Sequence, residues 1–272
     1  MRDVQTIYGI DFSGAKDAGN KIWLAKGAAE AKRLLIKQCI RARDLTSSGK
    51  ELEDCLPALV NLVKSETNAV FGFDFPFGLP GRLVREKSWK DFVLGFPRWY
   101  ERPETLREAC RRKKPRHELK RETDIESHTP FSPYNLRLYK QTYYGISKVL
   151  FPLVRDRIAC IVPFRKPVQG EPWILEVCPA STLKRLMKDG VPSYKGHGED
   201  KRENRRMIMD AVMKAGVAFG TGAALKEKII ANKGGDALDT VIAALAVFNT
   251  MQTKSWAPPD EKEYLIEGYV YH

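Results

Sequence analysis

Two apolar segments of this chain end on the same short pattern, a glycine followed two residues later by an aspartate. The first, "YGIDFSGAK", carries Gly9 and Asp11, and the second, "VFGFDFPFGLP", carries Gly72 and Asp74. Residues i and i+2 of a β-strand share a face, so each glycine leaves space beside its aspartate. If the two strands are parallel neighbours, the carboxylates lie side by side at the strands' carboxyl ends, where open α/β sheets bind ligands.

The surrounding pattern predicts a single α/β domain over residues 1–272. Residues 4–12, 21–27 and 33–43 are apolar or alternating and are joined by short links, which predicts an antiparallel meander of three strands. The amphipathic segment "SSGKELEDCLPALVNLVKSE" predicts a helix that crosses over to "NAVFGFDF", a strand parallel to the first. The stretch 80–133, rich in Pro, Trp, Arg and Lys, predicts a helical, basic insertion.

The second half of the chain predicts further strands and helices around the same sheet. A helix is expected over residues 136–154, followed by strands in "RIACIVPF" and "EPWILEVCPA", the latter ending near Glu176. "KRENRRMIMDAVMKAGV" and "GGDALDTVIAALAVFNTM" predict helices. The predicted class is therefore α/β, with a mixed sheet of three antiparallel strands followed by parallel strands, flanked by helices.

Composition narrows the class of protein. With 272 residues, of which 43% are hydrophobic, the chain has enough apolar surface for a large core. Its five cysteines and four histidines show no metal-binding or disulfide spacing. No apolar run reaches the roughly 20 residues that span a bilayer, and the first residues lack the order of a signal peptide. We therefore expect a cytoplasmic protein without a membrane partner; the sequence leaves its oligomeric state open, a homodimer included.

The net charge of +12 is concentrated in one region of the chain. Residues 82–121 hold fourteen Lys and Arg against six Asp and Glu, which gives +8 from that segment. Such a cluster favours a polyanionic partner, DNA or RNA, because affinity for phosphate backbones depends on cationic charge. The alternative for "CRRKKPRHELKR" is a solvated helix face, and the sequence does not choose between the two.

The acids of the predicted strand ends and of one helix form a candidate metal site. Asp236 and Asp239 are three residues apart, so they lie on one helix face. Close carboxylates repel, and they share a proton or bind a cation. Mg²⁺ and Mn²⁺ prefer oxygen ligands, so we expect either ion at Asp11, Asp74, Glu176, Asp236 and Asp239. Taken singly, Asp236 also suits a helix cap and Glu176 an arginine pair.

The order of these elements and acids resembles the RNase H-like fold. More specifically, "YGIDFSGAK", "VFGFDFPFGLP", "WILEVCPAS", "GGDALDTVIAALAV" and "KRETD" resemble the motifs of the predicted-nuclease family called domain of unknown function 429. The resemblance runs from Tyr8 to about Val247. The resemblance implies a metal-dependent phosphodiesterase. Its metal-binding and catalytic positions are Asp11, Asp74, Glu176 and Asp239, and Asp236 lies adjacent to them.

Three classes of function follow from the sequence. The leading one is a nuclease in which Arg121, Lys195 and Arg205 either grip phosphate or form solvated surface. The second is an actin-like or sugar-kinase-like enzyme, in which "DFSGAK" and "GTGAAL" cradle a nucleotide's phosphates. The third is a nucleic-acid-binding protein without catalysis. The sequence does not distinguish DNA, RNA and small phosphodiesters as substrates.

Overall fold

The computed structural model describes residues 5–112, 118–220, 223–254, 256–257 and 263–272. They form a mixed β-sheet covered by helices on both faces. Within the described residues the strands are β1 Thr6–Asp11, β2 Trp23–Glu30, β3 Arg33–Arg41, β4 Ala69–Asp74, β5 Cys160–Ile161, β6 Trp173–Val177, β7 Val217–Phe219 and β8 Val270–Tyr271.

The sheet has the mixed character that the sequence predicts. Its order is β5-β6-β4-β1-β2-β3-β7, and β8 pairs with β6. Strands β1, β2 and β3 form the antiparallel meander, whereas β4 lies parallel to β1, and β6 lies parallel to β4. The segment "RIACIVPF" is a strand only at Cys160–Ile161. The two Gly-x-Asp segments therefore lie next to each other at the centre of the sheet.

The helices largely follow the predicted positions. They are α1 Ala18–Lys21, α2 Leu52–Ser65, α3 Trp89–Trp99, α4 Pro103–Arg112, α5 Glu122–Glu126, α6 Tyr139–Tyr144, α7 Phe151–Arg155, α8 Pro179–Leu186, α9 Glu199–Lys214, α10 Ala223–Ala231, α11 Asp236–Thr253 and α12 Tyr264–Glu267. A π-helical segment, Gly145–Leu150, joins α6 to α7. None of the helices in the described ranges is both long and apolar enough to cross a membrane.

Alternation along the strands divides the core into two halves. On β1, Ile7 packs in the half that contains α8, α9, α10 and α11, whereas Tyr8 and Ile10 pack in the half that contains α2, α3, α6 and α7. Since Gly9 and Asp11 are two and four residues from Ile7, they face the α11 side. The first face of the sheet, toward α11, is therefore the one that carries the glycines and aspartates.

The basic segment 80–133, predicted as an insertion, packs its first helices into the core. Trp89, Phe92, Phe96 and Leu106, on α3 and α4, are buried in the same core half as α2. Helices α3 and α4 are thus part of the layer on the second face of the sheet, opposite α11. Arg111 and Arg112 end α4 and are exposed, whereas Lys113 and Lys114 of the predicted cationic run lie outside the described residues.

Candidate active site

Asp11 and Asp74 are direct neighbours across two parallel strands. The register of β1 and β4 pairs Gly9 with Gly72 and Asp11 with Asp74. In-register residues on adjacent strands point to the same face and are separated by about 4.8 Å along the hydrogen-bonding direction. The predicted side-by-side placement of these aspartates at the strand ends is confirmed.

The two glycines position a helix over the aspartates. A Cβ at Gly9 would overlap the main chain of Thr240 and Ala244, both on α11, and a Cβ at Gly72 would meet the side chain of Val247. The sequence suggested that the glycines leave space beside the acids, but the space is filled by α11. Because Gly9 allows close approach of backbone to backbone, the first turn of α11 reaches the strand ends.

That first turn brings Asp239 and Asp236 to the same place. The Asp239 side chain is buried, with 3% of the residue exposed. Its Oδ1 accepts a hydrogen bond of 2.6 Å from the Tyr194 hydroxyl, and its Oδ2 lies 2.6 Å from Nζ of Lys195. Asp236 opens α11 and is half-buried. Thus Asp239 is paired with a cation.

Neighbouring carboxylates contribute to raising the pKa values of Asp11 and Asp74. Burial and then the charges of Asp239 and Asp74 raise the pKa of Asp11 well above its usual range. Burial, followed by the charge of Asp239, raises the pKa of Asp74 to about 8. The nearby Lys195 ammonium opposes both shifts. The site therefore concentrates more negative charge than its surroundings neutralise, so an additional cation would stabilise it.

Glu176 lies on the other side of the sheet from this group. Its register partner on β4 is Phe73, not Asp74, so its side chain leaves the opposite face. Its carboxylate accepts hydrogen bonds from the Arg121 guanidinium and, at 2.9 Å, from the main-chain N–H of Phe77. Glu176 thus forms the arginine pair, the alternative that the sequence also allowed. Its carboxylate still lines the cavity that contains Asp74, and its charge contributes to raising the pKa of Asp74. The expectation that Glu176 binds a metal stays a prediction.

Arg121 is a structural cation and not an exposed phosphate ligand. It is 1% exposed, and its guanidinium binds Asp124 as well as Glu176. It also donates a hydrogen bond of 3.0 Å to the main-chain oxygen of Glu267, which fastens the C-terminal segment. The segment "KRETD" therefore supplies a buried ion network beneath the site.

The other two predicted phosphate ligands occupy different environments. Lys195 lies at the site, and 54% of its side chain is exposed. Arg205 is buried on α9, where its guanidinium donates hydrogen bonds of 2.7 Å to the main-chain oxygens of Ile230 and Tyr194. Arg205 thus holds the Tyr194–Lys195 segment in place, and only Lys195 remains available to a ligand.

A cavity of about 430 Å³ opens at the carboxyl ends of β1 and β4. Its lining includes all five predicted acids, but the walls contain residues that the sequence analysis missed. Gln141 donates to the main-chain oxygen of Asp74, and Tyr194 binds Asp239. Arg137 adds a cation to the rim. Their positions depend on loops and helices far away in sequence, and no local pattern marked them.

The donor chemistry suits a hard divalent cation, although the present side-chain arrangement is not a finished metal site. In the described ranges, no group of three or more His, Cys, Asp or Glu side chains is arranged to hold a metal ion as it stands. Both oxygens of Asp239 are occupied by Tyr194 and Lys195. A cation bound by Asp11, Asp74 and Asp239 would therefore replace the Lys195 ammonium at Asp239.

Comparisons with protein-family models, curated proteins and solved structures found no significant match to this chain.

Proposed function

We propose that this chain is a metal-dependent nuclease with an RNase H-like fold, related to the family called domain of unknown function 429. The observation that carries the proposal is the in-register pair Asp11 and Asp74 beneath the first turn of α11. The order and directions of β3, β2, β1, β4 and β6 also support the RNase H-like assignment. On the sequence grounds given above, we assign the enzyme to the cytoplasm.

In this proposal Asp11, Asp74 and Asp239 hold Mg²⁺ or Mn²⁺, with Asp236 adjacent. When bound, the ion would polarise a phosphodiester and supply a reactive water at neutral pH. Glu176 is given no ligand role in this proposal, because its carboxylate is engaged by Arg121 and by the N–H of Phe77. Its place is that of a positioning residue, which fixes the turn after β4 through the N–H of Phe77.

The remaining side chains have roles that follow from their contacts. Lys195, once displaced from Asp239, is a mobile cation at the mouth of the cavity and is suited to bind a phosphate oxygen. Tyr194 keeps its proton because burial, followed by the charge of Asp239, raises its pKa. It therefore orients Asp239 as a hydrogen-bond donor and does not act as a base.

The actin-like or sugar-kinase-like alternative requires two glycine turns around one nucleotide. The "DFSGAK" turn contributes Phe12 and Ser13 to the acid cavity. Gly220, which begins "GTGAAL", instead donates its N–H to the main-chain oxygen of Ile36 on β3 and is not in the cavity lining; the next two residues lie outside the described ranges. This separation favours the nuclease.

A cleavage panel tests the proposal. Labelled single-stranded DNA, single-stranded RNA, duplex DNA, an RNA–DNA hybrid, a four-way junction and bis(p-nitrophenyl) phosphate are incubated with Mg²⁺, with Mn²⁺ and with EDTA. We expect cleavage of at least one nucleic acid that EDTA abolishes, and we expect Asp74→Asn to lower it by at least a hundredfold, about 2.7 kcal/mol of transition-state free energy.

Asp210→Asn is the matched control, because Asp210 is an exposed aspartate on α9. It should retain wild-type activity. Cleavage that survives both EDTA and Asp74→Asn would contradict the proposal. ATP hydrolysis without any cleavage would favour the kinase-like alternative, and salt-sensitive binding without cleavage would favour a non-catalytic binding protein.

A further inference from the structure

A row of four side chains crosses the sheet from the acids toward its β3 side. Asp74 pairs with Asp11, Asp11 pairs with Trp23, and Trp23 pairs with Arg41. All four point to the face that carries α11, since in-register neighbours share a face. Arg41 is therefore two strand spacings, about 10 Å, from Asp11 along the row. The row changes from anionic to cationic over that distance.

Arg41 lines a second cavity, of about 440 Å³, which adjoins the acid cavity. Lys21 and Asp236 line both, so the two cavities meet at these residues. The second cavity, which we call the cationic groove, is defined by Lys21, Arg41, Lys228 and Lys233, with Trp23 at its base and Asp236 at the junction. Its four cations face a single carboxylate, so the groove attracts anions.

The guanidinium of Arg41 is held ready for a ligand. It lies over the Trp23 ring, 5.0 Å from the centroid, and this contact fixes its orientation. Its Nε is buried and finds no hydrogen-bond partner within the described part of the chain. Lys228 is anchored by a hydrogen bond of 2.9 Å to the main-chain oxygen of Cys39, whereas Lys21 and Lys233 are exposed at the rim. An anion in the groove would be stabilised by the charge of this oriented guanidinium.

From this geometry we propose that the cationic groove binds backbone phosphates of a nucleic-acid strand beside the phosphodiester held at the acids. This inference rests on the proposed function and narrows its substrate to a polymer, because a small phosphodiester would fill the acid cavity and leave the groove empty. The strand runs from Asp74 and Asp11 past Asp236 and Lys21 to Arg41. Repeated phosphates along one strand match repeated cations along the groove.

Binding measured in EDTA tests the groove separately from cleavage. The probes are fluorescently labelled oligo-dT and oligo-U of about 20 nucleotides, longer than usual single-strand site sizes. The groove variant combines Arg41→Gln, Lys228→Gln and Lys233→Gln. The control variant combines Lys64→Gln, Arg102→Gln and Lys148→Gln, three exposed cations away from both cavities. Both variants lose the same net charge.

We expect the groove variant to bind at least one probe ten times more weakly or worse. The slope of log affinity against log salt should fall by about 2, since each lost phosphate contact removes about 0.7. The control variant should stay within twofold of the wild type. A preference for oligo-dT or oligo-U would identify the natural strand.

Equal weakening in both variants, no weakening in either, or no binding by the wild type would overturn the inference. The two proposals fail separately. Weak binding by the groove variant without any cleavage by the wild type would leave the groove standing and remove the nuclease. EDTA-sensitive cleavage by the wild type, together with unimpaired binding by the groove variant, would support the nuclease and contradict the groove.

Discussion

At the scale of single residues, the carboxylates have two different fates. Asp11, Asp74 and Asp239 crowd one another on one face of the sheet, whereas Glu176, on the other, shares the Arg121 guanidinium with Asp124. A shift of one position along β6 would have turned Glu176 toward Asp74. The sequence placed an acid near the end of that strand, but the face depends on a register that only the folded sheet establishes.

The buried ion network predicts a large stability difference between two similar substitutions. Arg121→Met should lower the free energy of unfolding by about 3–5 kcal/mol, because it leaves the carboxylates of Asp124 and Glu176 buried and unpaired. Arg155→Met is the control, since Arg155 pairs with Asp156 at the surface and its loss should lower the free energy of unfolding far less. Urea denaturation measures both. Equal effects would show that the buried network does not stabilise the fold.

The acid cluster predicts a pH dependence of stability. The folded pKa of Asp74 is raised to about 8, so between the ordinary value of 3.8 and that pH the folded state binds more protons than the unfolded chain. In EDTA, the free energy of unfolding should therefore fall as pH rises across this window. Asp74→Asn should flatten the decline, whereas Asp210→Asn should not. A metal-free protein whose stability rises over the same window would contradict the assignment.

At the scale of elements, the central claim about α11 depends on two glycines. The sequence predicted strands β1 and β4, their parallel pairing and the helix α11, because each has a strong local pattern. It did not predict that Gly9 and Gly72 make room for the helix, since that contact joins β1 and β4 to a segment more than 150 residues away. Tyr194 and Gln141 escaped prediction for the same reason.

The substitutions Gly9→Ala and Gly72→Ala should differ in cost, because the first adds a clash with backbone and the second a clash with side chains. At Gly9 the added Cβ would collide with the main chain of Thr240 and Ala244, so that α11 itself must shift, whereas at Gly72 it meets only the side chains of Val247 and Val177. Gly9→Ala should cost about 1–3 kcal/mol of stability, at the level of overpacking, and Gly72→Ala less. Gly9→Ala should also weaken Mn²⁺ binding by shifting Asp239. Thermal denaturation with and without Mn²⁺ measures both effects; an equal cost at the two positions would contradict the packing argument.

At the scale of the whole molecule, the two faces of the sheet carry different helices. The second face carries α2, α3 and α4, including the aromatic core around Phe92 and Phe96. The first face carries α11, the acids and the cationic groove. The net charge of +12 is thus not confined to the segment that the sequence analysis emphasised, because the groove's cations come from α1, β3 and the region of α10.

The decisive measurement is the response of Asp11→Asn to Mn²⁺, because the substitution preserves shape and removes one charge from the acid cluster. Thermal denaturation of wild type, Asp11→Asn and the surface control Asp210→Asn is measured in EDTA and in Mn²⁺. At Mn²⁺ a hundred times its dissociation constant, the wild type and the control should gain about 2.7 kcal/mol. Asp11→Asn should be as stable as the wild type or more so in EDTA, because repulsion from Asp74 and Asp239 is relieved, and should gain nothing from Mn²⁺. A variant that is destabilised in EDTA and still stabilised by Mn²⁺ would contradict the account.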